Sequence, residues 1–161
     1  MTRGEWYRIF LFVHILSAIV GLGPTFVYGS IVGMGRNEKP HARFATGVVH
    51  RLAMRMAIPL SAMIFLTGLG MIWALDRNPF QTTWLLVAMG LFIFGFTYST
   101  TVQNRQRREI LMITGGEDFD RSHPPPRLAV LGRRISWGGR YLRASATVIL
   151  YLMIFKGLYP V

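Results

Sequence analysis

Apolar and charged positions are segregated along this chain into long blocks. Charge-free runs extend from Ile9 to Gly35, from Met56 to Leu75 and from Asn78 to Asn104, each closed at both ends by Arg, Asp or Glu. A hydrocarbon core of ~30 Å takes about 20 residues of helix, so each run predicts a membrane span. A fourth apolar stretch, Ala144 to Phe155, is too short alone, but the helical pattern around it extends from Trp137 to Tyr159. Arg140, Arg143 and Lys156 would then snorkel to the two interfaces, with Trp137, Tyr141 and Tyr159 as interfacial anchors. The expected fold is all-α: one integral-membrane domain over 1–161, a four-helix transmembrane bundle. Its spans are expected at about 7–34, 53–75, 80–104 and 137–159, with cytoplasmic loops at about 35–52 and 105–136.

Composition supports lipid as the solvent. Of the 161 residues, 52% are hydrophobic and the mean hydropathy is +0.36, too apolar for a domain that must cover itself with polar surface. The first run is roughly twice the ~7–15 residues of a signal-peptide core and has no clear small-residue cleavage site, so it is expected to stay as a span.

The net charge of +11 raises the question of nucleic acid, but the basic residues sit between apolar runs, not along a folded surface, and no nucleic-acid partner is expected. Five lie between the first and second spans and nine between the third and fourth. Only Arg3, Arg8, Arg77 and Lys156 of the 18 remain for the other side. By the positive-inside rule, both termini and the Asp76–Pro79 turn face out, in what is expected to be a bacterial inner membrane. The larger cytoplasmic connection should continue helix three to about Ile113, break at Thr114-Gly115-Gly116, and pass through Glu117 to Asp120 and a stiff triple proline at 124–126. Leu128 to Arg140 reads as a basic and apolar stretch lying on the membrane surface before the chain turns into span four.

With no cysteine, thiol nucleophiles, thiolate metal sites and disulfides are excluded. No Asp or Glu lies inside a span, and no phosphate-binding glycine motif or nucleophile with an adjacent base is present, which disfavours a carboxylate-based proton pump. His14 is the leading candidate for chemistry. It shares a helix face with Ser17, Ala18, Gly21 and Thr25, so it points toward a close helix contact, where it serves either as a hydrogen-bonding packing residue or as a haem ligand or proton relay. Arg51 and Arg55, with His50 beside them, open the second helix and are read either as positive-inside anchors or as a cradle for carboxylates or phosphate. The nine methionines are scattered, which suits packing better than copper. Gly21-Leu22-Gly23-Pro24 is expected to bend helix one, Pro59, Gly68 and Gly70 to loosen helix two, and Gly29 and Gly33 to offer a small face for close packing.

Several stretches are shared with a known family: His14-Ile15-Leu16-Ser17-Ala18-Ile19-Val20-Gly21, Arg51-Leu52 leading to Ile58-Pro59, Thr67-Gly68-Leu69-Gly70, Trp84-Leu85-Leu86, and the closing Tyr151 to Lys156. Together they resemble small bacterial four-span proteins known only as predicted integral membrane proteins of unknown function. More remotely, the layout is similar to the HemJ-type membrane protoporphyrinogen oxidases and to copper-resistance membrane domains. The oxidase resemblance implies haem b as cofactor and His14 as its metal ligand, with Arg51 and Arg55 as residues to receive propionates. The third-span lysine of those oxidases has no counterpart after Trp84, where the chain reads Leu85-Leu86-Val87-Ala88.

Two functions are therefore expected to compete. One is a non-catalytic packing or accessory component of a membrane assembly, partnered by the lipid bilayer and by another copy or another membrane protein. The other is a haem- or porphyrin-binding membrane oxidoreductase using His14. The sequence assigns no substrate.

Overall fold

The structure, a computed structural model, describes residues 2–37, 42–76, 78, 82–116, 119 and 123–155. Arg77, Pro79, Lys39, Glu117, Asp120, Lys156 and Tyr159, to which the sequence assigns loop, turn or interfacial roles, lie outside the described residues.

Helix α1, Arg3–Asn37, starts at a reciprocal cap. The Thr2 backbone N–H donates to Glu5 Oε2 (2.8 Å), and the Glu5 N–H donates to Thr2 Oγ1 (3.3 Å). The helix runs without interruption through Pro24, so the proline expected to bend it does not break it. The Thr25 hydroxyl donates to the Leu22 carbonyl (2.5 Å), three residues back.

The second rod consists of α2 (Ala42–Leu52), a π-helical turn (Ala53–Ala57) and α3 (Ile58–Ala74). Its first part extends well into the stretch read from sequence as a loop. That stretch carries charge but is amphipathic: Ala45 and Val49 are buried while Arg43, Phe44 and Arg51 are exposed, and the inward face packs on α1 beside Tyr28. The wide turn precedes Pro59, which has no N–H to give the preceding turn and whose ring crowds the carbonyl four residues back. There the Ile58 N–H bonds to the Ala53 carbonyl, five residues back. The rod ends at Asp76 in the left-handed region (φ 54°), with its carboxylate 3.2 Å from Arg3 Nη1.

The third rod repeats the plan with α4 (Thr83–Tyr98), a π turn (Ser99–Gln103) and α5 (Asn104–Ile113). The Thr100 and Thr101 hydroxyls donate to carbonyls of the preceding turn. It stops at Ile113, and Thr114 to Gly116 turn the chain, as the glycine pair predicts. The last helix, α6 (Pro126–Phe155), corrects an expectation: the basic stretch and the apolar stretch form one continuous helix of 30 residues, with no turn between them. Nothing in Leu128–Arg140 breaks a helix apart from glycines, and of these Gly138 is where Tyr98 and Gln103 approach α6.

Three rods, Arg3–Met34, Arg43–Ala74 and Thr83–Ile113, are long and apolar enough to cross a membrane. Helix α6 matches them in length at about 45 Å, but its first 18 residues include Arg127, Arg133, Arg134, Arg140 and Arg143. Helix α1 packs along α2 and α3, α4 packs along α6, and the two halves meet where α1 touches α6 and α2 touches α5. Between α3 and α4 the link is side-chain stacking of Phe65 on Phe92 at 5.9 Å between centroids, and Phe92 in turn stacks on Phe96 of its own helix at 6.2 Å.

Polarity is distributed for lipid. Phe12, Ile19, Leu66, Phe94 and Ile154 are exposed, whereas His14, Ser17, Ser61, Thr67, Gln103, Arg107 and Ser145 are buried. Close helix approach depends on glycine. A Cβ at Gly21 would come 2.6 Å from Leu60 Cβ, one at Gly70 would lie 2.9 Å from the Phe10 ring, and one at Gly138 would strike Tyr98 and Gln103.

Candidate functional site

A cavity of about 400 Å³ runs inside the bundle, walled by all four rods. That falls within the range of small-molecule pockets. Most of its lining is aliphatic or aromatic, including Leu22, Ile64, Phe92 and Leu142, and it meets polar groups at two levels.

At the first level is His14, 9% exposed, facing the small residue Gly68. Its Nδ1 lies 3.1 Å from Thr67 Oγ1. The Thr67 hydroxyl has one proton, and backbone carbonyls of its own helix compete for it: Met63 at 2.7 Å and Ile64 at 3.1 Å. With its proton drawn to those carbonyls, Thr67 Oγ1 is placed to accept from a protonated Nδ1, the tautomer in which the Nε2 lone pair is free. Fixing one imidazole nitrogen by a hydrogen bond is how a histidine is oriented to offer the other as acceptor or ligand.

The second level lies fourteen residues further along α1, about 21 Å at the helical rise. Here the Gln103 side chain is 1% exposed, its amide Nε2 donating weakly to the Ile135 carbonyl (3.5 Å) and its Oε1 accepting from Arg107 Nη2 (2.8 Å). The Arg107 guanidinium, 8% exposed, has its Cζ 6.0 Å from the centroid of the Tyr28 ring. The Tyr28 hydroxyl is buried without a hydrogen-bond partner. Arg143 enters the same cavity from α6, with Nη1 beside Gly29 and Gly139. No carboxylate lines the cavity among the described residues, so its charged wall groups are both cations.

Of the residues singled out from sequence, His14 lines the cavity, and Arg51 and Arg55 do not: both are exposed on the second rod. His50 is also off the cavity, with its Nδ1 buried and unpaired. From sequence alone Arg107 and Arg143 read only as loop or interfacial charges. A signal for Arg107 existed in Gln103 four residues earlier, the helical spacing of a side-chain pair at the end of an apolar run. Tyr28, a hydroxyl deep in the first run, was a second signal. Among the described residues, no group of three or more His, Asp or Glu side chains could hold a metal ion.

A family model described as "Predicted integral membrane protein (DUF2269)" matches residues 8–157. The chain belongs to that family, whose function is unknown. No curated protein matches it, and no solved structure does.

Proposed function

We propose that this member of the DUF2269 family is a single-domain, four-span protein of the bacterial inner membrane with both termini outside the cytoplasm, and that it binds an elongated, largely apolar small molecule inside the bundle as a non-catalytic accessory component of a membrane assembly. The observation that carries the binding reading is the cavity between the levels of His14 and Arg107. A bundle built only to pack would close this space, because unfilled interior volume forfeits contacts. Gly21, Gly70 and Gly138 are taken up within the chain, by Leu60, Phe10 and Tyr98, while Gly33 of the small face on α1 meets nothing within 4 Å. The four-span topology draws support from the length of α6, from the Arg3–Asp76 ion pair at one end of the bundle and from the Glu109–Arg127 ion pair at the other.

The test is native mass spectrometry of the protein released from nanodiscs of its host's lipids. The expected result is a stoichiometric adduct of lipid-like mass. Gly33 and Gly132 line the cavity with no atom within 4 Å of an added Cβ, so Gly33→Phe and Gly132→Phe should fill the space without a clash at that atom and displace the adduct. A wild type that carries no adduct overturns the reading.

A second reading, haem or porphyrin binding, is favoured by the oriented Nε2 of His14. The donor atom fits an axial ligand, and haem would supply redox chemistry there. The propionate seat fits poorly: Arg51 and Arg55 lie off the cavity, and Arg107 and Arg143 meet it beside Tyr28 and Gly29, about 21 Å of helix from His14. Visible spectra of purified wild type and His14→Ala, with haem supply in excess, decide it. A stoichiometric Soret band lost in the variant supports haem, and a colourless wild type removes it.

A further inference from the structure

We infer that the Arg107 end of the cavity is a seat for the anionic head of an amphipathic ligand, a phosphate or carboxylate held between Arg107 and Arg143 and hydrogen-bonded by Tyr28, with the apolar part lying along the cavity toward His14. The inference rests on the binding reading above and names the ligand's chemistry.

Burial of a cation is costly unless it is paired, and Arg107 is more than nine-tenths buried with no carboxylate partner among the described residues. Its hydrogen-bonded neighbour is a neutral amide oxygen, which takes one of five guanidinium N–H groups. Gln103 positions the guanidinium without neutralising it. The ring of Tyr28 lies within cation–π reach, and its hydroxyl, buried and unpaired, is a donor available at the same level.

Arg143 arrives independently from another helix. Tyr28 and Gly29 are consecutive on α1; Arg107 lies against the first and Arg143 Nη1 against the second, so the two guanidiniums share one depth of the cavity. Arg143 Nη1 would lie 3.6 Å from a Cβ at Gly29 and at Gly139, beside the backbone of both helices. Neither guanidinium has a carboxylate beside it among the described residues, and the apolar wall screens their charge poorly. An oxyanion between them balances that charge, satisfies the remaining N–H donors in charge-assisted bonds, and takes up the Tyr28 hydroxyl. A zwitterionic or neutral head group would leave the two positive charges unbalanced.

The same chemistry is available from a membrane lipid with a phosphate monoester head or from a free anion entering from the aqueous side, and three probes separate them. Protein in phosphatidylcholine nanodiscs is exchanged against phosphatidic acid of the same chains, against added phosphatidylcholine, and against inorganic phosphate. Binding is read by native mass spectrometry and thermal shift. The expected result is one retained phosphatidic acid per chain, preferred over phosphatidylcholine by about tenfold or more. Arg107→Gln and Arg143→Gln should each lose that preference, Tyr28→Phe should weaken it by a few fold, and Arg51→Gln, off the cavity, should leave it unchanged. Stabilisation by inorganic phosphate alone, lost in the same variants, supports the seat and assigns it to a free anion. Equal loading of phosphatidic acid and phosphatidylcholine overturns the anion seat while leaving the cavity reading intact. Absence of any adduct or phosphate response overturns both. Should Arg107→Gln fail to fold, Arg143→Gln and Tyr28→Phe decide the matter, and an undiminished preference in those two variants also overturns the proposal.

Discussion

The imidazole Nδ1 of His14 lies 3.1 Å from the hydroxyl of Thr67, a buried hydrogen bond between residues 53 positions apart. It ties α1 to α3 beside Gly68. A double-mutant cycle of His14→Ala and Thr67→Val, followed by unfolding in mixed micelles, should return a coupling of about 0.6 kcal/mol and no more than ~1.7 kcal/mol, the range of interhelical hydrogen bonds in membranes. A coupling of zero would show that the two side chains do not interact in the folded protein.

Glycine positions should separate into two classes. Gly138→Ala places a methyl group 2.8 Å from Gln103 Nε2 and against Tyr98, so it should destabilise the bundle by about 1–3 kcal/mol, the usual range for overpacking. Tyr98→Phe added to it should recover part of the loss by removing the clashing oxygen. Gly23→Ala and Gly90→Ala meet nothing within 4 Å and should be neutral or stabilising by up to about 1 kcal/mol. Thermal unfolding of the four variants in one detergent checks the ordering.

At the end of α3, Asp76 has φ of 54°, a conformation open to glycine and asparagine and strained for β-branched residues. Asp76→Gly is expected to cost under 1 kcal/mol, because the ion pair to Arg3 that it removes is exposed. Asp76→Val should cost about 1–2 kcal/mol more than Asp76→Gly. Equal melting temperatures for the two would show that the turn is not held in this conformation.

Because the chain has no cysteine, single cysteines can be introduced and labelled in intact cells without a background. Cysteine at Thr2 or Asp76 should react with an impermeant maleimide from outside. Cysteine at Arg43 or Arg127 should react after the membrane is opened. The reverse pattern would invert the proposed topology, and labelling of Thr2 and Arg127 from the same side would be incompatible with the two ends seen in the bundle.

Particular residues show what was legible from sequence and why. The three long apolar runs translate directly into rods, since lipid demands uninterrupted apolar helix and little else produces such runs. The break after Ile113 follows from Gly115 and Gly116, and the inward aim of His14 from the small residues on its face. Helix α2 was not legible as part of the second rod, because a search for charge-free stretches passes over an amphipathic helix whose polar side faces outward. Arg107 was missed for a related reason. In sequence it is one basic residue among several, and only the approach of Tyr28 and Gln103 from different positions distinguishes a buried cation from its solvated neighbours Arg105 and Arg108.

The π turn at Ala53–Ala57 acts as a phase corrector along the second rod. Ala45, Val49 and Ala53 keep one face inward at intervals of four, and the next deeply buried residue is Ser61, eight positions on, which an ordinary helix would carry about 80° off that face. The wider turn absorbs the excess, and Ile64 and Thr67 follow in register. Removing one residue from this segment would rotate α3 by about 100° and swing Thr67 away from His14 while leaving every apolar run intact. Such a deletion would pass unnoticed in a hydropathy profile and would still dismantle the upper level of the cavity.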